Sequence, residues 1–137
     1  MDNHNSKINN LKKNIQSKSF KIGVIGVGYV GIKLVLEFAN KNFHVSCFDK
    51  DFTKLKKIKS GISPFSYIRN DEFNKVKKKI TINSDFKKIP ECDAIIICLP
   101  TPLKNNKPDL SQITETWSKI RKFIRRYQLI ILESTTY

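Results

Sequence analysis

Residues 20 to 31 read Phe20-Lys21-Ile22-Gly23-Val24-Ile25-Gly26-Val27-Gly28-Tyr29-Val30-Gly31, a β-rich apolar run that breaks into G-x-G-x-x-G and leads directly into a helical pattern. Phe20, Ile22, Val24 and Ile25 suit a central parallel strand buried on both faces. After the glycines, Val30, Leu34, Val35 and Phe38 recur at helical spacing, and Asn40 with Asn42 punctuates a stop. A second strand, His44 to Phe48, then delivers Asp49 18 residues past the last glycine, where a carboxylate can accept hydrogen bonds from ribose hydroxyls. Strand, glycine loop, helix, strand and acid together form a dinucleotide-binding fingerprint. The first glycine permits the tight turn, the second lets the backbone approach a pyrophosphate, and the third lets helix and strand pack closely. Backbone N–H groups at the helix start would face the phosphates. Asp49 favours NAD over NADP by repelling a 2′-phosphate, a preference that Lys50 and Lys54 weaken.

Outward from this unit, strand and helix signals alternate. The patterns predict strand 20–25, helix 29–40, strand 44–48, helix 51–59, helix 71–78, strand 80–82, strand 94–99, helix 110–126 and strand 128–132. That alternation argues a Rossmann-like, doubly wound, mostly parallel α/β sheet, ending after its fifth strand. Asp109 suits the N-cap of the long helix, and Ile113, Trp117, Ile120, Ile124 and Tyr127 form its apolar stripe, which reads Trp117 as core. Residues 1–19, rich in Asn, Lys and Ser with isolated Ile8, Leu11 and Ile15, read as a mobile polar tail or a marginal helix. The folded domain is expected over 20–137.

At 137 residues the chain fits one domain with ample length for a core. No stretch has the length of a membrane span and the N-terminus lacks a signal-peptide pattern, so a cytoplasmic setting without membrane contact is expected. Cys47, Cys92 and Cys98 lie in or beside apolar runs, as buried reduced thiols do, and none has metal-ligand spacing, so no metal is expected. The net charge of +14, densest at Lys75, Lys77, Lys78 and Lys79, raises nucleic-acid binding as a rival reading. It is disfavoured, because the surplus is nearly all Lys, spread over helix faces and loop edges, with no aromatic-interleaved basic motif.

Two further segments fall at strand C-termini, the edge where open α/β sheets bind ligands. Cys98-Leu99-Pro100-Thr101-Pro102 stiffens a turn and leaves the Thr101 hydroxyl free for a cofactor. Glu133-Ser134-Thr135-Thr136 places hydroxyls where a fifth strand meets the nicotinamide side of the crevice. Each alone reads better as turn chemistry or capping; their shared edge with the glycine loop favours a binding role.

Ile22 to Gly31, Ser63-Pro64 after Gly61, Cys98 to Pro102, Pro108-Asp109-Leu110 and Leu132 to Tyr137 together resemble the UDP-glucose/GDP-mannose dehydrogenase family, nearest its UDP-N-acetylglucosamine 6-dehydrogenases. The resemblance runs over residues 20 to 137 and implies an NAD-binding domain. Members oxidise a sugar C6 alcohol to a carboxylate, passing two hydrides to two NAD⁺ through a thioester on a catalytic cysteine. By position, Gly26, Val27, Gly28, Tyr29, Val30 and Gly31 would form the pyrophosphate loop. Asp49 would hold the adenosine ribose with Lys54 beside it. Thr101 would line the cleft, and Ser134 with Thr135 would reach toward the nicotinamide or a catalytic water. The family usually has an acidic residue after its Ser-Pro pair, where this chain has Phe65-Ser66-Tyr67.

The resemblance also implies parts that are not in the sequence: the Gly-rich segment with the catalytic cysteine, its Lys and Asn partners, the long central helix and the UDP-sugar domain. The expectation is therefore the NAD-binding domain of a nucleotide-sugar 6-dehydrogenase, a truncated or split form inactive alone, with a UDP-sugar engaged only if the missing domain is supplied in trans. Homo-oligomerisation or pairing with a full-length dehydrogenase would go with it. The alternatives are an NAD-binding regulatory or interaction module and a non-functional remnant.

Overall fold

The computed structural model describes residues 2–134. In chain order its elements are α1 (Asp2–Gln16), β1 (Lys21–Ile25), α2 (Tyr29–Asn40), β2 (His44–Phe48), α3 (Phe52–Lys59), α4 (Asn70–Val76), β3 (Ile80–Asn83), β4 (Ala94–Ile97), β5 (Leu103–Lys104), β6 (Lys107–Pro108), α5 (Ser111–Ile120) and β7 (Leu129–Leu132). Five strands form one sheet in the order β3-β2-β1-β4-β7, every pair parallel. The order reverses beside β1, which makes the crevice between the ends of β1 and β4 the topological switch point.

Alternation along the strands sends side chains to two cores. Ile22 and Val24 of β1, Val45 and Cys47 of β2 and Ile96 of β4 join Ile32, Val35 and Leu36 of α2, Leu55 and Ile58 of α3 and Phe73 of α4. On the opposite face Ile25, Phe48, Ile95 and Ile97 pack with Ile89, Cys92 and Ile120. Each fully buried Ile or Phe here contributes about 1.5–3 kcal/mol of transfer free energy.

α2 ends where its sequence stops being helical. Asn42 takes a left-handed φ of 68°, and the Phe43 N–H donates back to the Phe38 carbonyl, closing a Schellman-type end. α3 starts on Asp51, whose carboxylate accepts from the Lys54 N–H at 2.9 Å.

Several boundaries differ from the sequence pattern. The helix expected over 71–78 becomes α4 and a 3₁₀ turn, Lys77–Lys79. The helix expected over 110–126 stops at Ile120, because Arg121–Phe123 tightens into a 3₁₀ turn and Tyr127 adopts φ 65°. Positions 124 and 127 thereby leave the helical register. Of the expected stripe Ile120 is buried, Ile124 packs on the core from beyond the helix, and Trp117 is 42% exposed rather than core. Asp109 sits one residue before the Leu110 N-cap, where its carboxylate accepts from the Ser111 N–H at 2.9 Å. Of the two readings of the 1–19 segment the described residues show the helix, α1: Leu11 packs on the core while Ile8 and Ile15 stay exposed, and Lys18 at φ 61° turns the chain into β1. The hairpin β5–β6 was not expected; Asn105 and Asn106 at φ 52° and 59° make its two-residue turn.

At the N-terminal edge of the sheet, Arg125 ties β4 to the entry of β7. Its guanidinium donates to the Pro90 carbonyl at 2.9 Å, the Cys92 carbonyl at 3.0 Å and Asp93 Oδ1 at 2.6 Å. Asp93 Oδ2 in turn accepts from the Lys21 N–H at the start of β1. β7 is one of the two edge strands, with Leu129 and Leu132 exposed and Ile130 and Ile131 half-buried.

Candidate functional site

The glycine loop joins β1 to α2 at the C-terminal edge of the sheet, and its three glycines do three separate jobs. Gly26 has φ 87°, and a Cβ there would lie 2.6 Å from the Cys98 carbonyl oxygen. A side chain at Gly31 would strike the Gly26 carbonyl oxygen, so this glycine sets how closely α2 approaches the loop. At Gly28 nothing lies within 4 Å of a Cβ position. That open space stands in front of α2, which begins at Tyr29 with no side-chain cap. The amides ahead of the first intrahelical bond, Ile32 N–H to the Gly28 carbonyl, are left for an anion at the positive end of the helix. The chain therefore has the cradle that a pyrophosphate needs.

Asp49 braces this loop from the next strand. Its Oδ2 accepts from the Val27 N–H at 2.8 Å and lies 2.6 Å from Lys54 Nζ, while Oδ1 accepts from the Asp51 N–H at 2.9 Å. The Gly26 N–H donates to the Phe48 carbonyl at 2.9 Å, a second tie between loop and β2. Val27 is thus spoken for: its side chain is fully buried and its amide is held by Asp49.

A cleft of about 690 Å³ opens beside the loop. Gly26, Gly28, Asp49 and Lys54 line it, together with Leu99 and Pro100 from the turn after β4. Two stretches that sequence reasoning did not assign complete the wall: Asn83 to Lys87 at the end of β3, and one side of α5 with the 3₁₀ turn that follows it, through Gln112, Thr116, Lys119 and Phe123. The position of Asn83 at a strand C-terminus was a usable signal; the inward side of α5 required knowing where the helix ends.

The remaining expected residues divide. Tyr29 and Val30 are 71% and 51% exposed and line no part of the cleft, so the backbone at the start of α2 is their contribution. Thr101 is half-buried and outside the lining, its neighbour Pro100 taking the place expected for it. The Ser134 hydroxyl accepts from the Leu99 N–H at 3.0 Å and donates to the Ile97 carbonyl at 3.3 Å, locking the end of β7 to the turn after β4. Thr135 lies outside the described residues. At Phe65-Ser66-Tyr67, where this chain departs from the acidic residue of the family pattern, rings fill the space: Tyr29 and Tyr67 stack with centroids 5.4 Å apart, and Phe65 lies 5.5 Å from Tyr29.

The three cysteines are free and buried. Burial pushes the Cys47 thiol up to about 12 and the Cys92 and Cys98 thiols up to about 11. None is a thiolate near neutral pH. Among the described residues no group of three or more His, Cys, Asp or Glu is placed to hold a metal ion, and no helix is long and apolar enough to cross a membrane.

A parallel sheet in this order, a glycine loop at its switch point and an uncapped helix start define a dinucleotide-binding Rossmann domain. Residues 20–137 match the model of the UDP-glucose/GDP-mannose dehydrogenase family, NAD binding domain. Among curated relatives, UDP-N-acetyl-D-glucosamine 6-dehydrogenase of Salmonella typhi is 31% identical over 118 residues, 85% of this chain and 27% of the relative. Protein CapL of Staphylococcus aureus is 34% identical over 120 residues, again 85% and 27%. Among solved structures, UDP-D-ManNAc dehydrogenase of Pyrococcus horikoshii superimposes with a TM-score of 0.77 at 28% identity, covering 85% of this chain and 28% of that one. The chain belongs to the UDP-glucose/GDP-mannose dehydrogenase family and forms its NAD-binding domain. It spans little more than a quarter of the length of the relatives it matches.

Proposed function

We propose that this chain supplies the cofactor-binding half of a nucleotide-sugar 6-dehydrogenase, a reaction in which a sugar C6 alcohol is oxidised to a carboxylate with two NAD⁺ accepting the two hydrides. The observation that carries the reading is the open, uncapped cradle at Gly28 and the start of α2. Within it the amides at the head of α2 bind the pyrophosphate, Asp49 takes an adenosine ribose hydroxyl, and Lys54 steadies that carboxylate. Gly26 and Gly31 keep the loop in shape, Val27 anchors it to Asp49, and Leu99 with Pro100 closes the side facing β4. Ser134 positions the turn carrying Leu99, and Thr135 is assigned to the nicotinamide or a catalytic water.

The chemistry itself calls for a nucleophile and acid–base groups beyond these residues. Cys47, Cys92 and Cys98 are enclosed and protonated, so the thiolate that forms the thioester belongs to another segment, in the same polypeptide or in a partner dehydrogenase. The names of the relatives support UDP-N-acetylglucosamine as the first substrate to try. Buried, unpaired thiols suit the reducing cytoplasm.

The test is calorimetric titration of the chain with NAD⁺, followed by NADH formation from UDP-N-acetylglucosamine with the chain alone and mixed with a homologous dehydrogenase carrying a disabled NAD site. Saturable NAD⁺ binding, no turnover alone and turnover restored in the mixture is the expected pattern. A folded chain that binds no NAD⁺ would refute the reading. Binding without restored turnover would leave a cofactor-sensing module and remove the catalytic half of the proposal.

A further inference from the structure

Lysines that look scattered along the sequence are gathered by the fold at one edge of the sheet. β3 is the edge strand opposite β7, and α3 packs beside it with Leu55 and Ile58 turned into the core. The second half of α3 carries Lys56, Lys57 and Lys59, and the 3₁₀ turn that leads into β3 is Lys77–Lys79. Lys59 joins the two segments: its Nζ donates to the Ile80 carbonyl at 2.7 Å and to the Lys77 carbonyl at 3.4 Å. Among the described residues none of these six ammonium groups pairs with a carboxylate. The acids of the neighbouring elements are engaged elsewhere. Asp51 caps the far end of α3, Asp71 pairs with Arg69 and Lys75, and Glu72 accepts from the Arg69 N–H.

Two ordinary roles account for part of this cluster. A lysine in a last helical turn favours the helix dipole, and lysines beside an edge strand keep other strands from pairing with it. One side chain at each place meets those needs, and further like charges beside it repel. The surplus suits a partner with densely spaced negative charge. A ring extends the strip: Phe52, 40% exposed, begins α3 on the same face as Lys56 and Lys59, and Lys56 Nζ lies 5.0 Å over it. From Phe52 to Lys59 the helix runs about 12 Å.

We propose that this edge binds single-stranded nucleic acid, a base stacking on Phe52 and successive phosphates meeting Lys56, Lys59 and the Lys77–Lys79 turn. An exposed ring followed by a row of ammonium groups serves a flexible strand whose bases can splay out. A duplex keeps its bases stacked away from such a ring, and an anionic membrane surface offers no base. None of these residues lines the cofactor cleft, so this surface stands or falls independently of the NAD reading.

Fluorescence anisotropy of the full chain with a labelled oligouridylate of about 15 nucleotides tests it. Binding in the micromolar range is expected at about 0.1 M salt, with log K falling against log salt at a slope of about −3, as about four to five phosphate contacts give. Lys56→Ala, Lys77→Ala, Lys78→Ala and Lys79→Ala together should weaken binding by about tenfold or more and flatten the slope by about 2–3, with the NAD⁺ affinity unchanged in calorimetry. Lys56→Glu with Lys78→Glu, at two exposed positions, should weaken it as much and guards against misfolding of the fourfold variant. The same number of lysines removed from α1 and the β5–β6 hairpin, Lys7→Ala, Lys12→Ala, Lys104→Ala and Lys107→Ala, should cost under about threefold. Phe52→Ala should weaken binding by about fivefold or more at an unchanged slope, and NAD⁺ should not compete. An equal loss in the two fourfold variants, displacement by NAD⁺, or full affinity without the Phe52 ring overturns the proposal. So does equal or tighter binding of a duplex of the same length, or of phosphatidylglycerol–phosphatidylcholine vesicles.

Discussion

Exchanging Gly28 for alanine separates binding from folding more cleanly than any other change in the loop. Gly28 sits at φ −90° and ψ −153°, a conformation open to any residue, and its Cβ would touch nothing within 4 Å. Alanine is a poorer N-cap than glycine, but it also removes unfolded-state freedom amounting to about 0.4–1 kcal/mol, so the net change in stability should stay within about 1 kcal/mol. The added methyl occupies the space through which a pyrophosphate must approach. A loss of at least about 1.4 kcal/mol of binding, tenfold in Kd, is expected for NAD⁺. Gly26→Ala is the opposite case. It forces a left-handed φ on alanine at about 1–2 kcal/mol and drives the methyl to 2.6 Å from a backbone oxygen, for a total of about 2–3 kcal/mol. At about 4 °C per kcal/mol, its melting temperature should fall by roughly 10 °C. Calorimetry with NAD⁺ and thermal melts of both variants read the two effects. Gly28→Ala with a wild-type Kd and an unchanged melt would refute the assignment of this loop as the phosphate cradle.

Three other outcomes are expected. Arg125→Met removes three donors from the Pro90 and Cys92 carbonyls and Asp93, and because the guanidinium is partly exposed the cost should be about 1–2 kcal/mol, read by chemical denaturation. Burial raises the folded-state Cys47 thiol from 9.0 to about 12, so the folded chain holds a proton that the unfolded chain loses; stability should be intact below pH 9 and decline between about pH 9 and 12, and Cys47→Ala should flatten that decline. The apolar outer strand β7 should promote self-association at high concentration, and Leu129→Lys with Leu132→Lys should abolish it in sedimentation velocity without changing the circular dichroism; an equally associating double variant would refute this.

Much of the sheet was legible because a strand buried on both faces needs a short continuous apolar run, and Ile22–Ile25, Val45–Phe48 and Ala94–Ile97 leave little else to be. The glycine loop was legible for a related reason: a tight turn and a close helix approach each tolerate one residue type. Side-chain assignments were less so. Thr101 and Pro100 are equivalent in a motif yet differ in which way the turn presents them. Ser134 was read as a ligand contact, and its bracing of β7 against the turn after β4 was not foreseen, since a hydroxyl at a strand end meets backbone as readily as a cofactor. The Asp49–Lys54 pair depends on α3 starting at Asp51 and so bringing Lys54 back toward the strand end, a geometry the sequence pattern does not carry. Ile124 and Tyr127 were misplaced because the apolar stripe continues in sequence through a point where the helix does not, and Trp117 was misplaced within the helix itself, where the stripe position leaves it 42% exposed.

That misplacement leaves the chain with a built-in optical probe. Its one tryptophan stands 42% exposed on α5, next to Thr116 in the wall of the cleft. Indole emission overlaps the absorption band of a reduced nicotinamide, so a bound dinucleotide should quench Trp117 by energy transfer on reduction and release that quenching on oxidation. The domain can thus report binding of its reduced ligand in unlabelled form, at concentrations too low for calorimetry.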